Sequence, residues 1–120
     1  MQPDSRYAAF IMTYQRKEIL ADTIQKLLEQ TKPPSKILIV DNDPEKSASK
    51  ISESFPEINI NYHAAGYNSG PAGAAYYALK ILFEEGWQWI LWMDDNDPPH
   101  FKNVIENILQ IPEKYYQGNY

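Results

Sequence analysis

The sequence has 120 residues, of which 43% are hydrophobic and 22% are charged, a balance typical of one globular domain rather than of a disordered chain. Eleven Lys and Arg against sixteen Asp and Glu give a formal charge of −5, so nucleic acids and anionic membrane surfaces are poor partners. There is no cysteine, which excludes disulfides, thiolate catalysis and thiolate-bound zinc. No apolar run approaches the roughly 20 residues of a membrane helix, and no secretory signal is recognisable at the start. We therefore expect a cytoplasmic protein, at most peripheral to the inner face of the membrane.

The predicted elements alternate between strands and helices. Residues 7–13 form a short apolar run typical of a strand, and apolar residues at helical spacing follow until the double proline at 33–34. Residues 36–40 are apolar on both faces, as in a buried parallel strand. A short helix around Ile51 and a weaker third strand over 58–63 are predicted next.

The second half of the chain opens with a glycine-rich loop, 66–73, which leads into a predicted helix over 72–85 that ends at Gly86. A tryptophan-rich fourth strand is predicted over 87–93, and apolar residues from Phe101 to Leu109 predict a last helix. This alternation predicts an α/β fold, a Rossmann-like α/β/α sandwich with a mostly parallel sheet, as a single domain over residues 1–120.

Polar residues follow three of the four predicted strands: Thr13-Tyr14-Gln15-Arg16, Asp41-Asn42-Asp43, and Asp94-Asp95-Asn96-Asp97. Right-handed crossovers place the carboxyl ends of parallel strands along one edge of the sheet, and ligands of open α/β sheets bind beyond that edge. We therefore expect a ligand site that these three segments form together.

The acidic segment carries three carboxylates within four residues. They repel one another, so that folding them at the end of a buried strand favours a bound cation. Mg²⁺ or Mn²⁺ takes such oxygens and keeps positions open for water and substrate phosphate. The alternative is a solvated turn that caps the next helix. Asp41 has two interpretations of the same kind, an ordinary helix entry or an acceptor for a ligand N–H or hydroxyl.

The glycine-rich loop matches neither common phosphate-binding motif. It lacks the Gly-x-Gly-x-x-Gly spacing and follows the third strand rather than the first, and there is no Gly-Lys-Ser/Thr. Two interpretations stay open, close approach of the backbone to a ligand or packing of the helix on the sheet.

Taken in order, these motifs resemble the nucleotide-binding half of a family 2 glycosyltransferase with the GT-A fold. Residues 10–16, Phe-Ile-Met-Thr-Tyr-Gln-Arg, are similar to that family's first strand, where Thr-Tyr-Asn-Arg is usual. Residues 30–42, which end in Ile-Val-Asp-Asn, are similar to its second strand. Residues 68–74, Asn-Ser-Gly-Pro-Ala-Gly-Ala, resemble the Asn-x-Gly-Gly-Ala-Gly-Gly stretch of a galactofuranosyl- and rhamnosyltransferase-like branch, and residues 86–99 its fourth strand with an Asp-Asp-Asp-x-x-Pro end.

The resemblance implies an inverting transfer from a UDP- or dTDP-sugar donor to a glycan or lipid-linked acceptor. It implies that Mg²⁺ or Mn²⁺ lies at the diphosphate. The implied nucleotide-sugar-binding residues are Thr13, Tyr14, Arg16, Asp41, Asn68, Gly70 and Asp94. The resemblance implies a metal-binding Asp-x-Asp element formed by Asp94 and Asp95 with Asn96 or Asp97. Because Asn96 stands where the family has its third Asp, the metal ligands we expect are the shifted pair, Asp95 and Asp97.

The family also implies an acceptor-binding half with a carboxylate that serves as general base. Nothing after Pro112 supplies this base, so we expect a fragment that is incomplete for catalysis, or a site completed by a partner domain. The tail aromatics Tyr115, Tyr116 and Tyr120 make a homo-oligomer a further expectation. Two alternatives stay open, a non-catalytic nucleotide- or nucleotide-sugar-binding module and a receiver-like phosphoacceptor domain. The sequence lacks the acidic pair that a receiver has after its first strand, and the only candidate for a receiver's late lysine, Lys114, lies in the tail.

Overall fold

The computed structural model describes residues 6–110, and the predicted tail features at residues 114–116 and 120 lie outside them. In chain order the described elements are β1 (Ala8–Thr13), α1 (Lys17–Leu28), β2 (Lys36–Asp41), a 3₁₀ turn (Ile51–Ser54), β3 (Ile60–Ala64), α2 (Gly70–Glu84), β4 (Ile90–Asp94) and α3 (Val104–Leu109). No helix within this described part has both the length and the apolar character needed to cross a bilayer.

The four described strands form one sheet in the order β3-β2-β1-β4, and each neighbouring pair is parallel. This confirms the predicted Rossmann-like α/β fold. The order matches the 3-2-1-4 start of the Rossmann arrangement and differs from the 2-1-3-4-5 order of receiver-like folds, which argues against that alternative. The strand order reverses at β1, so that the topological switch point lies between β1 and β4.

The core has two layers because alternate residues of a strand point to opposite faces of the sheet. On one face, α1 packs Leu20, Ile24 and Leu27 against the isoleucines of β1 and β2. On the other face, α2 packs small residues and Leu82 against Phe10 and the apolar residues of β2. All six residues of β2 are buried, as its unbroken apolar run predicts. The arrangement is the predicted α/β/α sandwich.

Element boundaries differ from the prediction where tertiary contacts decide them. The helix predicted from residue 72 begins at Gly70, with Pro71 in the first turn, a position that does not need an N–H donor. The short helix predicted around Ile51 is a single 3₁₀ turn. The fourth strand begins at Ile90 rather than at residue 87 and pairs only with β1 among the described strands, and its Trp92 is 52% exposed.

Candidate functional site

A cleft of about 360 Å³ lies at the carboxyl edge of the sheet, next to the switch point. The ends of β1, β2 and β4 and the start of α2 line it, and we call it the carboxyl-edge cleft. Seven of the predicted site residues line this cleft: Thr13, Tyr14, Arg16, Asn68, Gly70, Asp94 and Asp95. The remaining two, Asp41 and Asp97, lie outside it. The cleft therefore unites distant segments of the sequence, such as those of Thr13 and Asp95, which are 82 positions apart.

Asp95 is buried at the side of the cleft, with 2% of its surface exposed. Thr13 Oγ1, at the end of β1, donates a hydrogen bond to Asp95 Oδ2 over 3.0 Å. A guanidinium nitrogen of Arg16 lies 3.1 Å from Asp95 Oδ1. Thr23 Oγ1 of α1 donates to the main-chain oxygen of Asp95 over 2.6 Å. Asp95 therefore joins β1, α1 and the end of β4, and both of its carboxylate oxygens have a partner.

Asp94 differs from its neighbour because it is exposed and lines the cleft. Asn96 is also exposed there, so that a carboxylate and a side-chain amide are both accessible from the cleft. Mg²⁺ is commonly held by one or two carboxylates together with substrate phosphates. These oxygen donors fit a hard divalent ion, although residues 6–110 hold no group of three or more His, Cys, Asp or Glu side chains arranged for a metal.

Asp97 lies in a neighbouring, more apolar hollow of about 440 Å³ between β4 and α3. Its backbone N–H donates to the Asp94 carbonyl over 3.5 Å, which closes a turn after β4. The structure thus separates the two predicted metal ligands, because Asp95 faces Arg16 and Asp97 belongs to the other hollow. Their role as metal ligands stays a prediction.

Asp41 is fully buried at the end of β2. Its Oδ1 accepts the N–H of Asp43 over 2.9 Å, and its Oδ2 accepts the N–H of Ala48 over 3.1 Å and the hydroxyl of Tyr62 over 2.7 Å. Burial, together with this hydrogen bond to Asp41, raises the pKa of Tyr62 above its ordinary value. Asp41 therefore organises the turn after β2, and its assignment to nucleotide binding stays a prediction.

Asp43 extends the same turn. It is buried, and its Oδ1 accepts the N–H of Glu45 over 3.0 Å. Hydrogen bonds, first from the Ser47 side chain and then from the Glu45 backbone, hold the pKa of Asp43 below its ordinary value. The chain after β2 is thus built from aspartates that accept their own downstream N–H groups, as is common in Asx turns.

Asn42 is one of four cleft residues to which the sequence prediction gave no individual role, and the others are Met12, Pro71 and Asn96. Its Nδ2 donates to the carbonyl of Gly70 over 3.2 Å. Its Oδ1 accepts the backbone N–H of Ser69 over 3.2 Å and the Ser69 hydroxyl over 2.6 Å. Asn42 therefore fixes the start of α2 to the end of β2. The signal available in the sequence was its position in the polar Asp41-Asn42-Asp43 segment.

The glycine-rich loop reaches the cleft through Asn68 and Gly70. Asn68 Oδ1 accepts the N–H of Gly70 over 3.3 Å, and Gly70 has a φ of +71°, a conformation that glycine adopts without strain. A Cβ on Gly73 would lie 2.5 Å from the Ser69 Cβ. Packing of the loop on the helix thus accounts for Gly73, whereas Gly70 lies on the cleft wall.

The sequence matches the family model described as "Glycosyl transferase family 2" over residues 8–119. It is 26% identical over 101 residues to the galactofuranosyltransferase GlfT1 of Mycolicibacterium smegmatis, a match that covers 84% of this chain and 33% of that protein. It is 27% identical over 109 residues to the GlfT1 of Mycobacterium tuberculosis, with coverage of 89% and 36%. The chain thus spans about a third of the length of the curated relatives it matches.

Two solved structures share the fold. TarS of S. aureus superposes with a TM-score of 0.67 and 16% identity over 86% of this chain and 18% of that chain. The mannosyltransferase PcManGT from Pyrobaculum calidifontis, solved in complex with GDP-Man and Mn²⁺, superposes with a TM-score of 0.67 and 18% identity over 81% of this chain and 29% of that chain. At this identity the likeness concerns the fold, and it agrees with the GT-A fold that the sequence resemblance predicted.

Proposed function

The chain belongs to glycosyl transferase family 2, and from this premise we propose that it forms the donor-binding part of a glycosyltransferase. The carboxyl-edge cleft would hold a nucleoside-diphosphate sugar. The observation that carries the proposal is the meeting of three strand ends and the start of α2 at the switch point of the sheet. The named activity of the curated relatives makes a galactofuranosyl donor the first one to test.

The residues that line the cleft offer different chemical groups to this ligand. Tyr14 is 41% exposed at the rim, where its ring can stack on a base. Asn68 and the backbone of Gly70 also line the cleft and offer polar groups to the ribose or the sugar. Asp41 would act indirectly, through the turn that holds Asn42 in place.

A divalent ion, Mg²⁺ or Mn²⁺, would supply charge stabilisation at the departing nucleoside diphosphate when it is bound. Asp94 would hold it from its exposed position on the cleft, together with the diphosphate oxygens. The sequence motif instead suggests Asp95 and Asp97 as the ligands. The Mn²⁺ and GDP-Man bound to the mannosyltransferase of similar fold support the presence of a metal.

The remaining requirements of the reaction are an acceptor and a general base that takes the proton of the acceptor hydroxyl. We propose a glycan or lipid-linked acceptor and do not assign the base to a residue of this chain. A domain that binds the donor without transferring its sugar is the second candidate, because the carboxyl-edge cleft accounts for donor binding alone.

The test is calorimetric titration of UDP, dTDP and GDP into the protein, with and without Mn²⁺. We expect one nucleotide to bind in a metal-dependent manner, and Asp94→Asn to remove the metal dependence. Asp22→Asn is the matched control, because it makes the same chemical change at an exposed position on α1. The proposal fails if the folded protein binds none of the three nucleotides.

Turnover then separates the two candidates. A radiolabelled or fluorescent sugar donor that is hydrolysed or transferred in the presence of an acceptor extract supports the transferase. Tight donor binding without either product supports the binding module.

A further inference from the structure

Arg16 stands apart from the other residues that line the carboxyl-edge cleft. Among the described residues there, it is the one basic side chain, set beside the carboxylates of Asp94 and Asp95. Its side chain is 47% exposed, whereas that of Asp95 is 2% exposed, so that the ion pair has one buried and one accessible member. The accessible member is a cation in the wall of a cleft to which we assign an anionic ligand.

Two hydrogen bonds hold Asp95 in place in addition to its contact with Arg16. Its Oδ2 accepts the hydroxyl of Thr13 over 3.0 Å, and its main-chain oxygen accepts that of Thr23 over 2.6 Å. The aspartate is therefore fixed to β1 and α1 before Arg16 is considered. Its Oδ1, which faces the Arg16 nitrogen, is thus a rigid acceptor at a fixed point of the cleft wall.

We propose that Asp95 is a positioning residue that holds the Arg16 guanidinium at the cleft, and that Arg16 binds the diphosphate of the donor. The proposal rests on the proposed function for the identity of the anion. A guanidinium offers five N–H donors in a planar fork, and the contact with Asp95 engages one terminal nitrogen, so that other donors remain for phosphate oxygens. Holding the long side chain in advance lowers the entropy lost when the anion binds.

This assignment differs in its consequences from the use of Asp95 as a metal ligand. If Asp95 works through Arg16, it supports anion binding without any metal, and its effect disappears once Arg16 has been removed. If Asp95 were a metal ligand, its effect would require the metal and would persist without Arg16. A double-mutant cycle in metal-free buffer separates the two.

The experiment measures the affinity of the full chain for inorganic pyrophosphate in the presence of EDTA. The variants are Arg16→Ala, Asp95→Asn and the double substitution. Lys17→Ala is the matched control, because Lys17 is the adjacent exposed basic residue and lies outside the cleft. We expect Arg16→Ala and Asp95→Asn each to weaken binding by about tenfold, as for the loss of one charge-assisted hydrogen bond. The double variant should be no weaker than Arg16→Ala, and the control should be unchanged.

Several results would overturn the proposal. These are wild-type affinity in Asp95→Asn, losses that multiply in the double variant, an equal loss in Lys17→Ala, or no binding of pyrophosphate by the wild-type chain. Binding of pyrophosphate with the expected cycle, but of no nucleotide, would instead reject the proposed function and leave the anion site standing.

If Asp95→Asn does not fold, a second measurement tests whether the Arg16 guanidinium is held in place and binds pyrophosphate. The ¹⁵Nε–H resonance of Arg16, assigned by its loss in Arg16→Lys, is followed by NMR in the wild-type chain. We expect it to be observable before any anion is added and to shift on titration with pyrophosphate. A resonance that does not shift overturns the proposal.

Discussion

Asp41 and Asn42 are adjacent, and the protein uses them for different purposes. Asp41 is directed into the turn after β2, where it accepts two backbone N–H groups and the hydroxyl of Tyr62. Asn42 lies at the cleft and holds the start of α2. A strand alternates its side chains between two faces, and this alternation continues into the first residues after β2. Substitutions at the two positions are therefore expected to differ in what they change.

Asp41→Asn removes the charge that strengthens three hydrogen bonds and places an amide donor against a backbone N–H donor. We expect a loss of about 1–3 kcal/mol in the free energy of unfolding, and about 1 kcal/mol for Tyr62→Phe, measured by urea denaturation at pH 7. Asp22→Asn, on the surface of α1, should change the free energy of unfolding by less than about 0.5 kcal/mol. Stability equal to wild type in Asp41→Asn would show that the buried carboxylate is dispensable to the turn.

Asn42→Asp tests the other residue of this pair. The carboxylate can still accept from the N–H and hydroxyl of Ser69, but it cannot donate to the carbonyl of Gly70. We expect a loss of about 1–2 kcal/mol in the free energy of unfolding, because two oxygens then face each other. We also expect weaker nucleotide binding in the titration above, because the loop that carries Asn68 loses one of its three hydrogen bonds to residue 42. Unchanged nucleotide affinity would remove Asn42 from the cleft machinery.

At the scale of elements, one ion pair connects the start of β2 to the end of α2. It lies at the amino edge of the sheet, opposite the edge that carries the cleft. Lys36 is 5% exposed, and its Nζ lies 2.7 Å from both carboxylate oxygens of Glu85. The hydrogen bond from Lys36 is the main reason why the pKa of Glu85 is held below its ordinary value. A buried lysine needs such a partner, which makes this pair more than a surface contact.

This lowered pKa predicts a pH-dependent contribution to stability. A carboxyl whose pKa is lower in the folded state stabilises the fold above its unfolded pKa, and the stabilisation is lost as the pH falls through the folded value. Glu85→Gln should therefore be less stable than wild type at pH 7, and the difference should shrink as the pH falls below about 4.5. Urea denaturation from pH 7 to pH 3 measures it. A difference that stays constant over this range would contradict the assigned cause.

At the scale of the whole molecule, the sheet has a separate apolar layer on each face, and both layers depend on the same two central strands. Leu27 on α1 and Leu82 on α2 are fully buried, one in each layer. Because β1 and β2 contribute side chains to both layers, loss of one layer exposes the strands that support the other. We therefore expect the two layers to unfold together.

Leu27→Ala and Leu82→Ala test this cooperativity. Each should lower the free energy of unfolding by about 2–5 kcal/mol through the cavity it creates. Because the two sites share no contacts, the losses should add to within about 0.5 kcal/mol where the double variant is still folded. Tryptophan fluorescence and far-UV circular dichroism should report a single shared transition in each variant. Separate transitions would indicate that the α1 and α2 layers are independent units.

The amino-acid sequence by itself determined the elements whose causes are local. The unbroken apolar run of β2 predicted a strand buried on both faces, and Gly86 predicted the end of α2, where it has a φ of +86°. The polar residues after three strands, together with the rule for parallel sheets, also predicted that these segments meet, and residues of all three line the carboxyl-edge cleft, whose function stays a prediction. These inferences succeed because backbone preference and hydrophobic periodicity act between residues that are close in the chain.

Only the tertiary structure decided which groups each aspartate contacts and whether it is buried or exposed. Asp94 and Asp95 are adjacent in the sequence, but β4 pairs with β1, and this pairing turns Asp95 toward Thr13 and Arg16 while Asp94 stays exposed at the cleft. The two threonines that donate hydrogen bonds to Asp95, Thr23 and Thr13, are 72 and 82 positions away along the chain. No local pattern encodes such distant partners, because burial of a carboxylate depends on which donors the completed fold brings to it.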